Sequence, residues 1–79
     1  MTISGVQSFG LALFKKKNAD YGDAFAQYGI IGVMIRMGDK LQRIKKLYES
    51  KTRQVEETIQ DTIIDLHNYS AMGIMLIDE

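Results

Sequence analysis

Seventy-nine residues without a cysteine make one small domain that no disulfide or thiolate metal site can staple. Ten basic and ten acidic residues balance, which argues against a general nucleic-acid coat or a polybasic membrane anchor and leaves locally segregated charge as the feature to follow. No apolar run approaches the roughly 20 residues that span a bilayer. Met1–Phe14 has no basic segment ahead of its apolar residues, so neither membrane nor nucleic acid is an expected partner and the expected location is the cytoplasm.

The pattern predicts an all-α, antiparallel domain of three helices, about 3–17, 30–50 and 55–77, with no strand signal of any length. In the first helix Ile3, Val6, Gly10, Leu13 and Phe14 recur at helical spacing, and Thr2 or Ser4 suits its start. Gly5 and Gly10 each weaken a helix by roughly 1 kcal/mol relative to alanine, which points to close packing against a neighbour. Lys15–Lys17 crowd the expected last turn, where cations suit the negative end of the helix dipole. The connection that follows, Asn18–Tyr28, mixes turn residues with Tyr21, Phe25 and Tyr28. Such a loop either grips a ligand by ring stacking or plugs the end of a bundle with its rings.

In the second helix Ile30, Met34, Met37, Leu41, Ile44 and Tyr48 alternate three and four apart, a bundle-type seam. Arg36, Asp39, Arg43 and Lys46 share another face, with Lys40 beside them. They read either as intrahelical ion pairs, each worth about 0.2–0.5 kcal/mol, or as a metal-binding aspartate flanked by phosphate-binding cations. The short polar connection Lys51–Gln54 makes helices two and three antiparallel neighbours.

The third helix carries the pattern of greatest interest. Glu57, Asp61 and Asp65 stand four apart and Asn68 follows three later, which stacks them in one oxygen-rich stripe. Carboxylates so arranged call for a divalent cation, for basic side chains of another helix, or for water. The expected core face is Ile59, Ile63, Leu66, Ser70, Gly73 and Ile77, yet Ile64, Met72 and Met75 fall on the acidic side. A helix that is apolar on two sides is buried on two sides, so a homo-oligomer, dimer or larger, is expected to cover the second. His67, the only histidine, has no second histidine or cysteine with which to complete a zinc site. No glycine-rich phosphate loop or local catalytic-triad signature occurs.

KNADYGDAF in the first connection, IRMGDKLQRIKKL in helix two and ETIQDTIIDLHNYSAM in helix three resemble, in order and spacing, the phage and bacterial family called nucleotide modification associated domain 1. The resemblance covers Lys16–Met72 and implies a role in nucleotide metabolism or in making modified nucleotides. The pattern is more remotely similar to the MazG-like all-α nucleoside triphosphate pyrophosphatases, which hold magnesium with acids from two neighbouring helices. Those enzymes show ExxE on one helix and ExxD on the next. This chain offers the single acid Asp39 on helix two, and Thr62 stands three before Asp65. The resemblance implies a magnesium-dependent nucleotide pyrophosphohydrolase-like protein with Asp39, Glu57, Asp61 and Asp65 as oxygen ligands to Mg2+ and Asp39, Asp61 and Asp65 as its catalytic residues. Lys17, Lys40 and Arg43 would neutralise phosphate, and Tyr21 and Tyr69 would contact the base. The alternatives are a non-catalytic protein that binds a nucleotide or nucleotide-derived signal and a purely structural helical oligomerisation module.

Overall fold

The computed structural model describes residues 1–21, 27–50 and 53–78, with the side chains of residues 20, 21 and 53–57 outside that description. It contains three helices, α1 (Ile3–Tyr21), α2 (Gly29–Ser50) and α3 (Arg53–Ile77), and no strand among the described residues. The all-α expectation holds. The helix α1 runs one turn further than its apolar pattern indicates, because Asn18, Ala19, Asp20 and Tyr21 include no helix breaker and the first glycine after them is Gly22. Lys15–Lys17 therefore lie inside the helix and not in its last turn. Tyr28, expected either on a ligand or as a bundle plug, is 75% exposed and lies over Gly32; Phe25 and the Tyr21 side chain fall outside the described residues.

Local chemistry sets the helix ends. Thr2 caps α1, its hydroxyl accepting from the Gly5 amide at 3.0 Å while the Val6 amide donates to the Thr2 carbonyl. Gly5 thus serves the cap, touching only Thr2 and Met1, and is not the interhelical contact expected of it. Gly29 begins α2 at φ 66°, a left-handed conformation that glycine alone adopts without steric cost. At the other end of α2 the Ser50 hydroxyl donates to the Leu47 carbonyl.

The helix shared by the other two is α3, which packs antiparallel along α2 and over a shorter stretch against α1. Gly73 sits under α2, where a Cβ would come 3.2 Å from Ile30 Cδ1 and 3.6 Å from Val33 Cγ1. Gly10 of α1 lies so near α3 that a Cβ would stand 2.8 Å from Asn68 Oδ1 and 2.9 Å from His67 Nδ1. The close packing expected at Gly10 is therefore present.

The seam on α2 is rotated from its expected position. Burial follows Ile30, Val33, Met37, Lys40, Ile44 and Leu47, while Met34, Leu41 and Tyr48 are exposed. Two seams of alternating three- and four-residue spacing fit this helix, and the contact of Ile30 and Val33 with Gly73 selects the inner one. On α3, Gly73 is buried and Ile59, Leu66 and Ser70 are half-buried as expected, whereas Ile63 and Ile77 are exposed and Thr62, Ile64 and Asn68 are buried in their place. The reason is that α3 has neighbours on two sides within its own chain, so its two-sided apolar character does not by itself require a second copy.

The core is thin. Among the described residues Val33 and Ile64 are the buried apolar side chains, and of the two Val33 is fully buried. The chain exposes 6369 Å², against roughly 4,900 Å² for a compact monomer of its mass, and its radius of gyration is 13.4 Å against about 11.6 Å. No helix is long and apolar enough to cross a membrane among the described residues.

A substitution at Gly10 tests the α1–α3 contact. Gly10→Ala should destabilise the fold by about 1–3 kcal/mol through overpacking, outweighing the roughly 1 kcal/mol gain in helix propensity. Urea denaturation measures the difference, and a stabilised variant would show that α1 does not approach α3 this closely.

Candidate functional site

The three helices meet at one carboxylate. Asp65, from the middle of α3, accepts a hydrogen bond from Lys17 of α1 at 2.9 Å through Oδ1 and forms an ion pair with Lys40 of α2 at 3.3 Å through Oδ2. Its side chain is 20% exposed, that of Lys40 26% and that of Lys17 55%. Each oxygen takes one ammonium, and the cluster carries two positive charges against one negative. Of the three ways to compensate the acidic stripe, basic side chains of other helices are the one realised at Asp65.

The rest of the stripe divides. Asp61, one turn before Asp65, is exposed, and the side chain of Glu57 lies outside the described residues. Asn68 turns inward. It is 7% exposed and its Nδ2 donates to the Gly10 carbonyl at 3.0 Å, leaving its Oδ1 to accept from His67 Nδ1 at 3.0 Å. Asn68 is thus a strut between α3 and α1, about two turns from where Lys17 leaves α1. A glycine inside α1 and a polar residue in the stripe were the two signals of this contact, and only their pairing escaped the sequence. Thr62, also buried, satisfies its hydroxyl locally by donating to the Thr58 carbonyl at 2.7 Å.

Of the site residues expected from sequence, the fold brings together Lys17, Lys40 and Asp65. Arg43 is exposed one turn beyond Lys40, and because α2 and α3 are antiparallel it lies in the same direction along the groove as Asp61. Tyr69 is half-buried one turn after Asp65. Tyr21 follows Lys17 by one turn of α1, its side chain outside the described residues. Asp39 is exposed on α2, about 100° around the helix from Lys40, and so points away from the side that meets α3. Among the described residues no three acidic, histidine or cysteine side chains gather as a preformed metal centre would require. Magnesium commonly uses one or two protein carboxylates and completes its shell with water and substrate phosphates, so this geometry speaks to a preformed centre and not to an ion brought in with a nucleotide.

A small all-helical protein with a lysine–aspartate–lysine cluster where its three helices meet is the class that fold and site define. A family model for nucleotide modification associated domain 1 matches residues 17–77, and the chain belongs to that family. The match begins at Lys17 and takes in Lys40 and Asp65, so the whole cluster lies within it. The family's description places the chain loosely in nucleotide metabolism. No curated protein and no solved structure matches the chain.

The cluster should contribute little to stability. Part-exposed ion pairs are worth about 0–1 kcal/mol each, so Asp65→Asn should lower the unfolding free energy by about 1 kcal/mol in low salt, and by less in high salt as screening weakens the pairs. Urea titrations at two ionic strengths check this. A loss of several kcal/mol would make the cluster a structural staple.

Proposed function

We propose that the chain is a nucleotide-binding protein that takes the phosphates of its ligand at the junction of α1, α2 and α3, with Lys17 and Lys40 as the phosphate partners. The observation that carries this reading is the convergence of two lysines from two helices on one part-exposed carboxylate, within a nucleotide-associated family. In the free protein Asp65 holds both ammonium groups where an anion belongs. A phosphate oxygen offers them charge-assisted hydrogen bonds of the same kind, and the excess positive charge of the cluster favours the exchange. Arg43 is free to extend from the neighbouring turn of α2, and its planar fork suits a second phosphate. Tyr69 and Tyr21, one turn from Asp65 and Lys17, are the proposed contacts to the base.

A second reading, magnesium-dependent pyrophosphohydrolysis, is favoured by the exposure of Asp61 one turn from Asp65. Asp61 and Asp65, with Glu57 one turn before Asp61 on α3, would hold a magnesium ion, which when bound supplies charge neutralisation and an activated water; Asp39, which points away from α3, would not join them. On that reading Lys17, Lys40 and Arg43 position the phosphates, and positioning with charge neutralisation provides most of the catalysis.

Calorimetry with nucleoside mono-, di- and triphosphates, with and without magnesium, alongside chromatography for cleaved product, tests both. Lys40→Ala should weaken binding by about 1.5–3 kcal/mol, the worth of a hydrogen bond to a charged group. Asp65→Asn separates the two readings. In a binder it should tighten or preserve affinity, because a charge that competes with phosphate is gone; in a hydrolase it should abolish magnesium-dependent turnover. Failure of every nucleotide to bind the parent protein would end both.

A further inference from the structure

The apolar surface left uncovered is not scattered evenly. On α2, roughly a third of a turn around from the side that packs on α3, Ile31, Met34, Ile35, Gly38 and Leu41 form a strip along the helix, with the four large side chains 68%, 61%, 60% and 56% exposed. Tyr28 and Tyr48, each 75% exposed, stand at its two ends. We propose that this strip is the interface with a second copy of the same chain, two α2 helices packing antiparallel about a twofold axis at Gly38.

Gly38 is the first reason. A glycine inside a helix is unfavourable relative to alanine, and a Cβ at Gly38 would meet nothing within 4 Å, so no contact among the described residues calls for it. A second helix crossing at that point does, because two glycines let the backbones approach closely. Register is the second. An interface about a twofold axis must be self-complementary, each residue i meeting j while j meets i. With the axis at Gly38 an antiparallel α2 pair sets Ile35 level with Leu41 of the second copy and Leu41 level with its Ile35. Lys45 falls opposite Ile31, where its apolar stem covers the isoleucine and its ammonium reaches water. Area is the third. The chain exposes 6369 Å², an excess of about 1,500 Å² over a compact monomer, and a stable dimer buries about 800 Å² per partner. The exposed residues Ile3, Phe9 and Leu11 of α1 do not share one helix face, and on α3 the exposed Ile63 is parted from Ile74, Met75 and Ile77 by His67 and Ser70. From Ile31 to Leu41 the α2 strip carries no polar residue on its face.

Light scattering of the full chain at micromolar concentration should give twice the 9.0 kDa chain mass. Leu41→Glu should return the monomer with its helical circular dichroism unchanged, since Leu41 touches solvent in the folded chain, whereas Phe9→Glu on α1 should leave the dimer intact. Because the chain has no cysteine, Gly38→Cys reports the axis directly. It should cross-link to a covalent dimer under mild oxidation, while Ile31→Cys, about 20 Å along the axis from its own counterpart, should not. A monomeric parent protein would overturn the proposal. So would a dimer that survives Leu41→Glu but is dissolved by Phe9→Glu, or cross-linking through Ile31→Cys as ready as through Gly38→Cys.

Discussion

Two glycines set how near α1 and α2 come to α3. At Gly73 the side chains of Ile30 and Val33 press onto the α3 backbone, and at Gly10 the α1 backbone presses onto the side chains of His67 and Asn68. The second contact is sealed by a hydrogen bond, since the Gly10 carbonyl, already bonded within α1, also accepts at 3.0 Å from the Asn68 amide, which would otherwise be buried unpaired. An unpaired Asn68 amide there would cost about 1–3 kcal/mol, a large share of what so thin a core can supply. Lys17 lies about two turns along α1 from that contact, so its reach to Asp65 depends on the angle at which Gly10 lets α1 cross.

Electrostatics alone would not have produced the cluster. A pair of part-exposed ion pairs contributes too little to hold three helices together, and lysine, a strongly hydrated point charge on a flexible stem, is the less suitable cation for a structural bridge. Packing brings the three groups together, and their charge then gives the junction its chemistry. Two ammonium groups share one carboxylate at distances of 2.9 and 3.3 Å, and in the proposed reading a phosphate would enter by replacing that single acceptor. Lysine stems long enough to follow a larger anion make that exchange possible without moving a helix.

How much of this was legible in the sequence depended on whether the information was local. The helices were legible, because periodicity and caps are properties of neighbouring residues; only their ends moved, as at Asn18–Tyr21, where residues that favour turns carried on in a helix. The cations opposite the acids were also legible as a class, and Lys17, Lys40 and Asp65 do meet. Rotation was not. On α2 the inner and outer seams share the same spacing and stand one residue apart, so the choice between Val33 and Met34 rests on which side Gly73 offers, a contact forty residues away in the chain. Asn68 was misplaced for a similar reason. Its nearness to Asp65 puts it in the acidic stripe, but its step of three, where the carboxylates step by four, turns it back by about 60° toward α1 and carries it under Gly10.

The helix α2 serves three neighbours with three faces. One packs on α3 through Val33, a second carries Arg36, Asp39, Arg43 and Lys46 in solvent beside Lys40, and the third is the exposed strip through Gly38. Helical spacing sets these faces roughly a third of a turn apart, which explains why its apolar residues fit two seams at once. A chain that buries so little by itself gains stability from whatever binds its folded form, as the logarithm of ligand or partner concentration over the dissociation constant. The charged face and the outer strip do not overlap, so the proposed ligand at the Lys40 side and the proposed second copy at the Gly38 side would not compete, and their stabilising effects would add on the same helix.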